Sequence, residues 1–110
     1  MRVNTTKEQV LALLQEHHFM RLETMQAELA DEVDFSTVYR NVQQLVAAGT
    51  VKKVVLDSKV VVYELASHHH DHFVCDVCQR VEIVTVPTMR LGGRTVRDIV
   101  IRGECAQCTT

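Results

Sequence analysis

Two cysteine pairs of identical spacing, Cys75-x-x-Cys78 and Cys105-x-x-Cys108, account for all four cysteines of the chain. A two-residue gap lets both sulfurs of a pair approach one ion at about 2.3 Å while the backbone between them turns toward it. Two such knuckles supply the four thiolates of a closed, tetrahedral zinc shell. The competing chemistry is disulfide formation, which needs an oxidising compartment; Met1 to Gln15 lacks the continuous apolar stretch of a secretory signal, so zinc in a cytoplasmic setting is the expectation. The 26 residues between the knuckles exceed the roughly 15–20 of a simple ribbon, which implies interposed strands. Four thiolates leave zinc no open position for water, and no Ser/His/Asp set or spare cysteine nucleophile is evident. The residues therefore read as non-enzymatic, with no small organic substrate.

A second cluster, His68-His69-His70-Asp71-His72, lies just before the first knuckle. On an extended segment alternate side chains share a face, so His68, His70 and His72 point one way and His69 and Asp71 the other. Imidazoles and carboxylates suit zinc, iron, manganese and related divalent ions, and protonation of the imidazoles competes with binding.

The elements that must position these residues change character along the chain. Thr5 and Glu8 form a capping box ahead of Val10, Leu11, Leu13 and Leu14, which predicts a helix over about Thr6 to Glu16. A second helix is expected over about Glu23 to Glu32. Ser36 reads as the N-cap of a third, whose Val38, Val42, Leu45 and Val46 share a face and which Gly49 ends. Its other face carries Thr37, Tyr39, Arg40, Asn41 and Gln44. The period then switches to two β-branched runs, Val51 to Leu56 and Lys59 to Leu65, split by Asp57-Ser58 as a hairpin. Three helices and a hairpin are the parts of a winged helix-turn-helix, whose third helix enters the major groove while the hairpin lies on the backbone. In that frame Arg40 can bond guanine, Asn41 or Gln44 adenine, and Tyr39 can pack on a thymine methyl, with Lys52 and Lys53 near phosphates. A net charge of −2 in 110 residues requires any such basic surface to be concentrated. No apolar run approaches the roughly 20 residues that span a bilayer, so no membrane partner is expected.

Three segments together resemble the ferric uptake regulator family: Ser36-Thr37-Val38-Tyr39-Arg40-Asn41-Val42 its recognition helix, His68 to Cys78 its metal-binding hinge and first knuckle, and Gly103 to Cys108 its second knuckle. The resemblance runs over nearly the whole chain and implies an α+β protein. Its winged-helix DNA-binding domain would span residues 1–66, and a β-rich metal-binding and dimerisation lobe, stapled by the four-cysteine zinc site, residues 67–110. It implies a homodimeric, metal-dependent transcriptional regulator, most simply a repressor, on palindromic double-stranded DNA. A regulatory Fe2+, Mn2+ or Zn2+ would take Glu64, His70 and His72 plus a donor from the loop before the second helix. Phe19 stands at that donor's aligned position, and His18, with His17 as the alternate, is one residue away. A second family site is expected to be absent, because Ile83 and Arg97 stand where a carboxylate and a histidine would complete His69 and Asp71, and Glu82 should face the other way. The family's helix between the later strands is also missing here. The strand ends near Val86, Pro87 to Arg94 is too short and Gly92-Gly93 too helix-averse, and the next strand is expected from about Thr95 to Arg102. Exposed edges left by that loss would favour pairing with a second chain. A peroxide-sensing member of the family, and a zinc-ribbon module that binds protein or buffers metal, are the alternatives.

Overall fold

The computed structural model describes residues 5–68, 70–87, 90–96 and 98–109. The chain is α+β and divides into two compact units, Met1–His68 and His69–Thr110.

In the first unit, α1 spans Thr6–His17, α2 Leu22–Leu29 and α3 Phe35–Ala47, followed by strands β1 (Val51–Asp57) and β2 (Val60–Leu65). Thr5 caps α1, its hydroxyl accepting from the Glu8 backbone N–H at 3.2 Å. The cap of α3 falls two residues earlier than Ser36: the Asp34 carboxylate accepts from the Thr37 N–H at 3.0 Å. A carboxylate at this end also answers the helix dipole, and it is held below its usual pKa first by the side-chain bond at Thr37. At the other end Gly49 takes φ +80°, its N–H reaches the Val46 carbonyl and that of Thr50 the Leu45 carbonyl. That pair of bonds is a Schellman motif, which needs a left-handed residue where glycine sits.

The three helices pack Val10, Leu14, Met25, Leu29, Val38, Val42 and Leu45 against Met20, Val51, Tyr63 and Leu65 in one apolar core. Met20 adds a short bridge to Tyr63, so the chain entering α2 is tied to the hairpin. The hairpin turn lies at Ser58-Lys59 rather than Asp57-Ser58, because β1 runs one residue further and its register shifts between Val55 and Asp57. Asp57 then accepts from the N–H groups of Lys59 and Val60 at 2.7 and 3.1 Å, which closes the turn.

The second unit is a three-stranded sheet in the order β4-β3-β5, with β3 at Asp71–Cys75, β4 at Val81–Val84 and β5 at Val100–Gly103. Strand β3 pairs antiparallel with β4 and parallel with β5. β4 stops two residues short of Val86, and β5 begins at Val100 instead of Thr95. Between them Leu91 and Arg94 form a bridge over Gly92-Gly93, at φ +58° and +77°, and no described residue in that stretch is helical. Two successive positive φ values suit a tight turn and oppose a helix. Thr88 and Met89, in the same predicted loop, lie outside the described residues.

Candidate metal centre and recognition face

Parallel pairing is what gathers the four cysteines. Cys75, the last residue of β3, stands opposite Gly103, the last of β5, and the Asp76 N–H donates to the Gly103 carbonyl at 2.8 Å. Both knuckles therefore leave the same end of the sheet. Gln79 takes φ +62° and donates to the Cys75 carbonyl, which folds the first knuckle back into β4. Thr109 donates to the Cys105 carbonyl and curls the second. All four sulfurs lie within 4.8 Å of one another.

Several observations fit a four-thiolate metal site. The Cys78 and Cys105 sulfurs are 3.7 Å apart. A tetrahedral shell with metal–sulfur distances of about 2.3 Å has an edge of about 3.8 Å, whereas a disulfide closes to about 2.05 Å. Backbone N–H groups of Cys78 and Cys105 both point at the Cys75 sulfur, each at 3.4 Å. Those two bonds, Cys78 first, hold the Cys75 thiol down to about 6. Cys108 is pushed up to about 12, chiefly by its side-chain contact with Cys105 and then Cys75. One sulfur is thus prepared as a thiolate, while Cys108 keeps its proton by sharing it with the sulfurs beside it. A divalent cation supplies the charge that lets all four deprotonate.

The other predicted ligands are distributed over the two units. Glu64 is fully buried, and Lys52 reaches its carboxylate at 3.1 Å. His18, just past α1 at φ +70°, has its ring centroid 6.1 Å from that of His68. In the second unit His72 is buried on β3, and the His70 ring meets it edge-on at 6.4 Å. Among the described residues the four cysteines are the group of three or more ligating side chains whose donor atoms converge. His69 and Arg97 lie outside the described residues. Glu82 does not face away from Asp71: β4 pairs it with Phe73, on the face Asp71 also occupies, and Ile83 pairs with His72.

On α3 the two faces separate cleanly. Val38, Val42 and Leu45 are buried, while Tyr39, Arg40 and Gln44 are exposed. Thr37 is half-buried. Asn41 turns onto its own helix, its amide donating to the Thr37 carbonyl at 2.7 Å. Lys52 and Lys53, adjacent on β1, alternate: Lys52 pairs across to Glu64 and Lys53 across to Tyr63. Phe35, 63% exposed one turn before Tyr39, extends the apolar part of the outer face. Its place at the helix start was hidden by the displaced cap.

An α+β chain with a three-helix-and-hairpin unit and a four-cysteine metal-site unit is a narrow class. A profile of the Ferric uptake regulator family matches residues 1–94. The chain belongs to that family. The ferric uptake regulation protein of Legionella pneumophila is 38% identical over 77 residues, covering 67% of this chain and 57% of that protein. That of Klebsiella pneumoniae is 33% identical over 123 aligned positions, covering 97% of this chain and 79% of the relative. The aligned length exceeds the chain's own 110 residues, so the relative carries residues with no counterpart here. In structure, the Vibrio cholerae ferric uptake regulator, a protein with DNA-binding domains, superposes with a TM-score of 0.72 at 26% identity, covering 96% of this chain and 92% of that one. The chain spans less than two thirds of the length of the first of these relatives.

Proposed function

We propose that this protein is a metal-responsive DNA-binding regulator that represses transcription as a homodimer on palindromic operators. The observation that carries this reading is the α3 face, where Tyr39, Arg40 and Gln44 stand exposed on a helix whose opposite side is locked into the core. A helix fixed in this way presents its outer side chains at defined spacing, and Arg40 and Gln44, one turn apart, have the donor geometry for guanine and adenine edges. Lys53 is exposed and suits a backbone phosphate. Lys52 and Asn41 are already engaged within the unit, so their predicted DNA contacts require release from Glu64 and from the Thr37 carbonyl.

Cys75, Cys78, Cys105 and Cys108 would hold a structural Zn2+ whose shell is closed to water. The regulatory Fe2+, Mn2+ or Zn2+ would take Glu64, His70, His72 and His18. Burial of His72 supports that role, since an imidazole withdrawn from water is costly unless a cation or hydrogen bonds offset the loss; the equally buried Glu64 is offset by Lys52, which a bound ion would displace. An ion held by these residues would supply the positive charge that their buried carboxylate and imidazole call for. On this reading residues 1–66 bind DNA and residues 67–110 bind metal and dimerise. Ile83 on β4 and Ile101 on β5 leave both outer strands with an exposed apolar side chain, as a pairing surface requires. No helix among the described residues is long and apolar enough to cross a membrane.

Selection from randomised duplexes, with and without Mn2+, tests the proposal. The expected result is a palindrome with half-sites about one helical turn apart, recovered when metal is present. Tyr39→Ala with Arg40→Ala should weaken binding to it by about 1–3 kcal/mol per lost base contact while leaving the thermal melt unchanged. Recovery of no sequence preference, with or without metal, would contradict the regulator reading.

A further inference from the structure

On the hairpin, Lys52 of β1 stands directly opposite Glu64 of β2, and its ammonium lies 3.1 Å from the Glu64 Oε1. The next pair along the same face is Val54 and Val62, both buried, so the two charges meet in an apolar setting. The partners are not equally placed. The Glu64 side chain is fully shielded from water, while that of Lys52 keeps 26% of its surface exposed. Glu64 therefore cannot regain water without opening the hairpin, and it needs a cation or hydrogen bonds where it stands. Lys52 carries its charge on a flexible four-carbon stem that already reaches solvent, so it is the partner that can leave.

Glu64 also belongs to the ligand set given above to the regulatory ion. A divalent ion on its carboxylate at about 2.1 Å would stand within about 5 Å of an ammonium still paired there, and like charges that close in an apolar setting repel strongly. Either cation offsets the buried carboxylate, but the two together leave an excess of positive charge. Exchange keeps Glu64 compensated throughout; what it changes is whether Lys52 is held. Lys53, exposed and paired across to Tyr63, is the built-in comparison, because the exchange does not touch it.

We propose that Lys52 competes with the regulatory ion for Glu64, and that its release is what couples the ion to DNA. While paired, Lys52 raises the concentration of ion needed to fill the site. Once displaced, its ammonium is free for the duplex, so DNA gains a cationic contact only when metal is bound. By linkage the duplex, in drawing Lys52 away from Glu64, tightens the ion by the same factor. The competition rests on Glu64 being a ligand, and the coupling rests on the regulator reading as well.

Correlation spectra of the lysine 13Cε and 15Nζ nuclei test the competition in the full chain with its four-cysteine site zinc-loaded, the Lys52 signal being assigned by its absence in Lys52→Arg. As a second equivalent of diamagnetic Zn2+ is added, that signal is expected to move toward those of Lys53 and Lys59 and to saturate, while those two stay in place. A Lys52 signal that stays put while the His70 and His72 ring signals report a filled site overturns the proposal. Mn2+ affinity without DNA, read from the paramagnetic resonance of the free ion, should tighten about tenfold in Lys52→Met, and equal affinity in the two proteins would contradict the competition. On the selected duplex, the steepening of log Kd against log salt that Mn2+ induces should be smaller in Lys52→Met than in the native chain by about 0.9, the share of one phosphate. Equal steepening in the two, with the palindrome still bound, would overturn the coupling and leave the regulator reading. Absence of any palindrome, with zinc still displacing Lys52, would overturn the regulator reading and leave the competition standing.

Discussion

The two units solve the same stability problem by different means. The first encloses fifteen buried apolar residues among those described, eleven of them in one cluster that joins all three helices, Met20 and the hairpin. In the second, the buried described residues are His72, Val74, Cys75 and Cys105, two of them thiols and one an imidazole. So few apolar side chains out of water cannot offset the conformational entropy of some 40 residues, and domains of that size ordinarily depend on a metal or a disulfide. Apolar burial specifies the first unit; convergence of four sulfurs specifies the second.

The largest expected effect follows from that difference. Cys105→Ser removes one of the four sulfurs while keeping the backbone N–H that donates to Cys75, and should abolish the ordered second unit while the first keeps its helices. Limited proteolysis read by mass spectrometry would place the new cuts after residue 68. Equal protection of both units would contradict the division.

Leu14→Ala makes the reciprocal break. Leu14 is fully buried between the helices, and its truncation should cost about 2–5 kcal/mol, read as a lower urea midpoint for helical circular dichroism. The thiolate-to-metal charge-transfer band of the cobalt-substituted protein should be unaffected. Loss of both signals together would mean that the units fold as one.

Gly49→Ala sharpens the account of how the first unit ends its last helix. At φ +80° a methyl meets no neighbouring atom, so the penalty is backbone strain alone, about 1–2 kcal/mol. The second unit should not respond.

The smallest effect is electrostatic. The pKa of Asp34 is lowered by folding, from 3.8, so its cap contributes fully above that value and is lost as pH falls through the lower, folded one. Helicity of the native protein should therefore decline in strongly acid solution, and Asp34→Asn, which keeps a capping oxygen without the titration, should flatten that decline. An unchanged acid limb in the variant would assign the loss to other carboxylates.

Much of this was legible in the sequence for physical reasons. The apolar positions Val38, Val42 and Leu45 recur at helical spacing and are the buried ones; Gly49 ends the helix because only its backbone conformation closes that motif cheaply; and two C-x-x-C pairs carry their own geometry. The rest depended on register. Asp34 and Ser36 are both good capping residues two positions apart, and the sequence does not rank them. Lys52 and Lys53 look equivalent until pairing with Glu64 and Tyr63 sends them to opposite faces. Glu82 shares a face with Asp71 only because the knuckle turn sets the pairing of β4. The nearness of His18 and His68, 50 positions apart, comes from tertiary packing, which leaves no periodic trace.

The most direct test of the contrast is a 1H–15N correlation spectrum of the zinc-loaded chain, recorded before and after zinc is stripped by a strong chelator under reducing conditions. The account predicts that Val74, Arg102 and other second-unit amides collapse into the unfolded region while Val38, Leu45 and Tyr63 stay dispersed. Dispersed second-unit amides in the stripped protein would show that the four sulfurs do not hold that unit together.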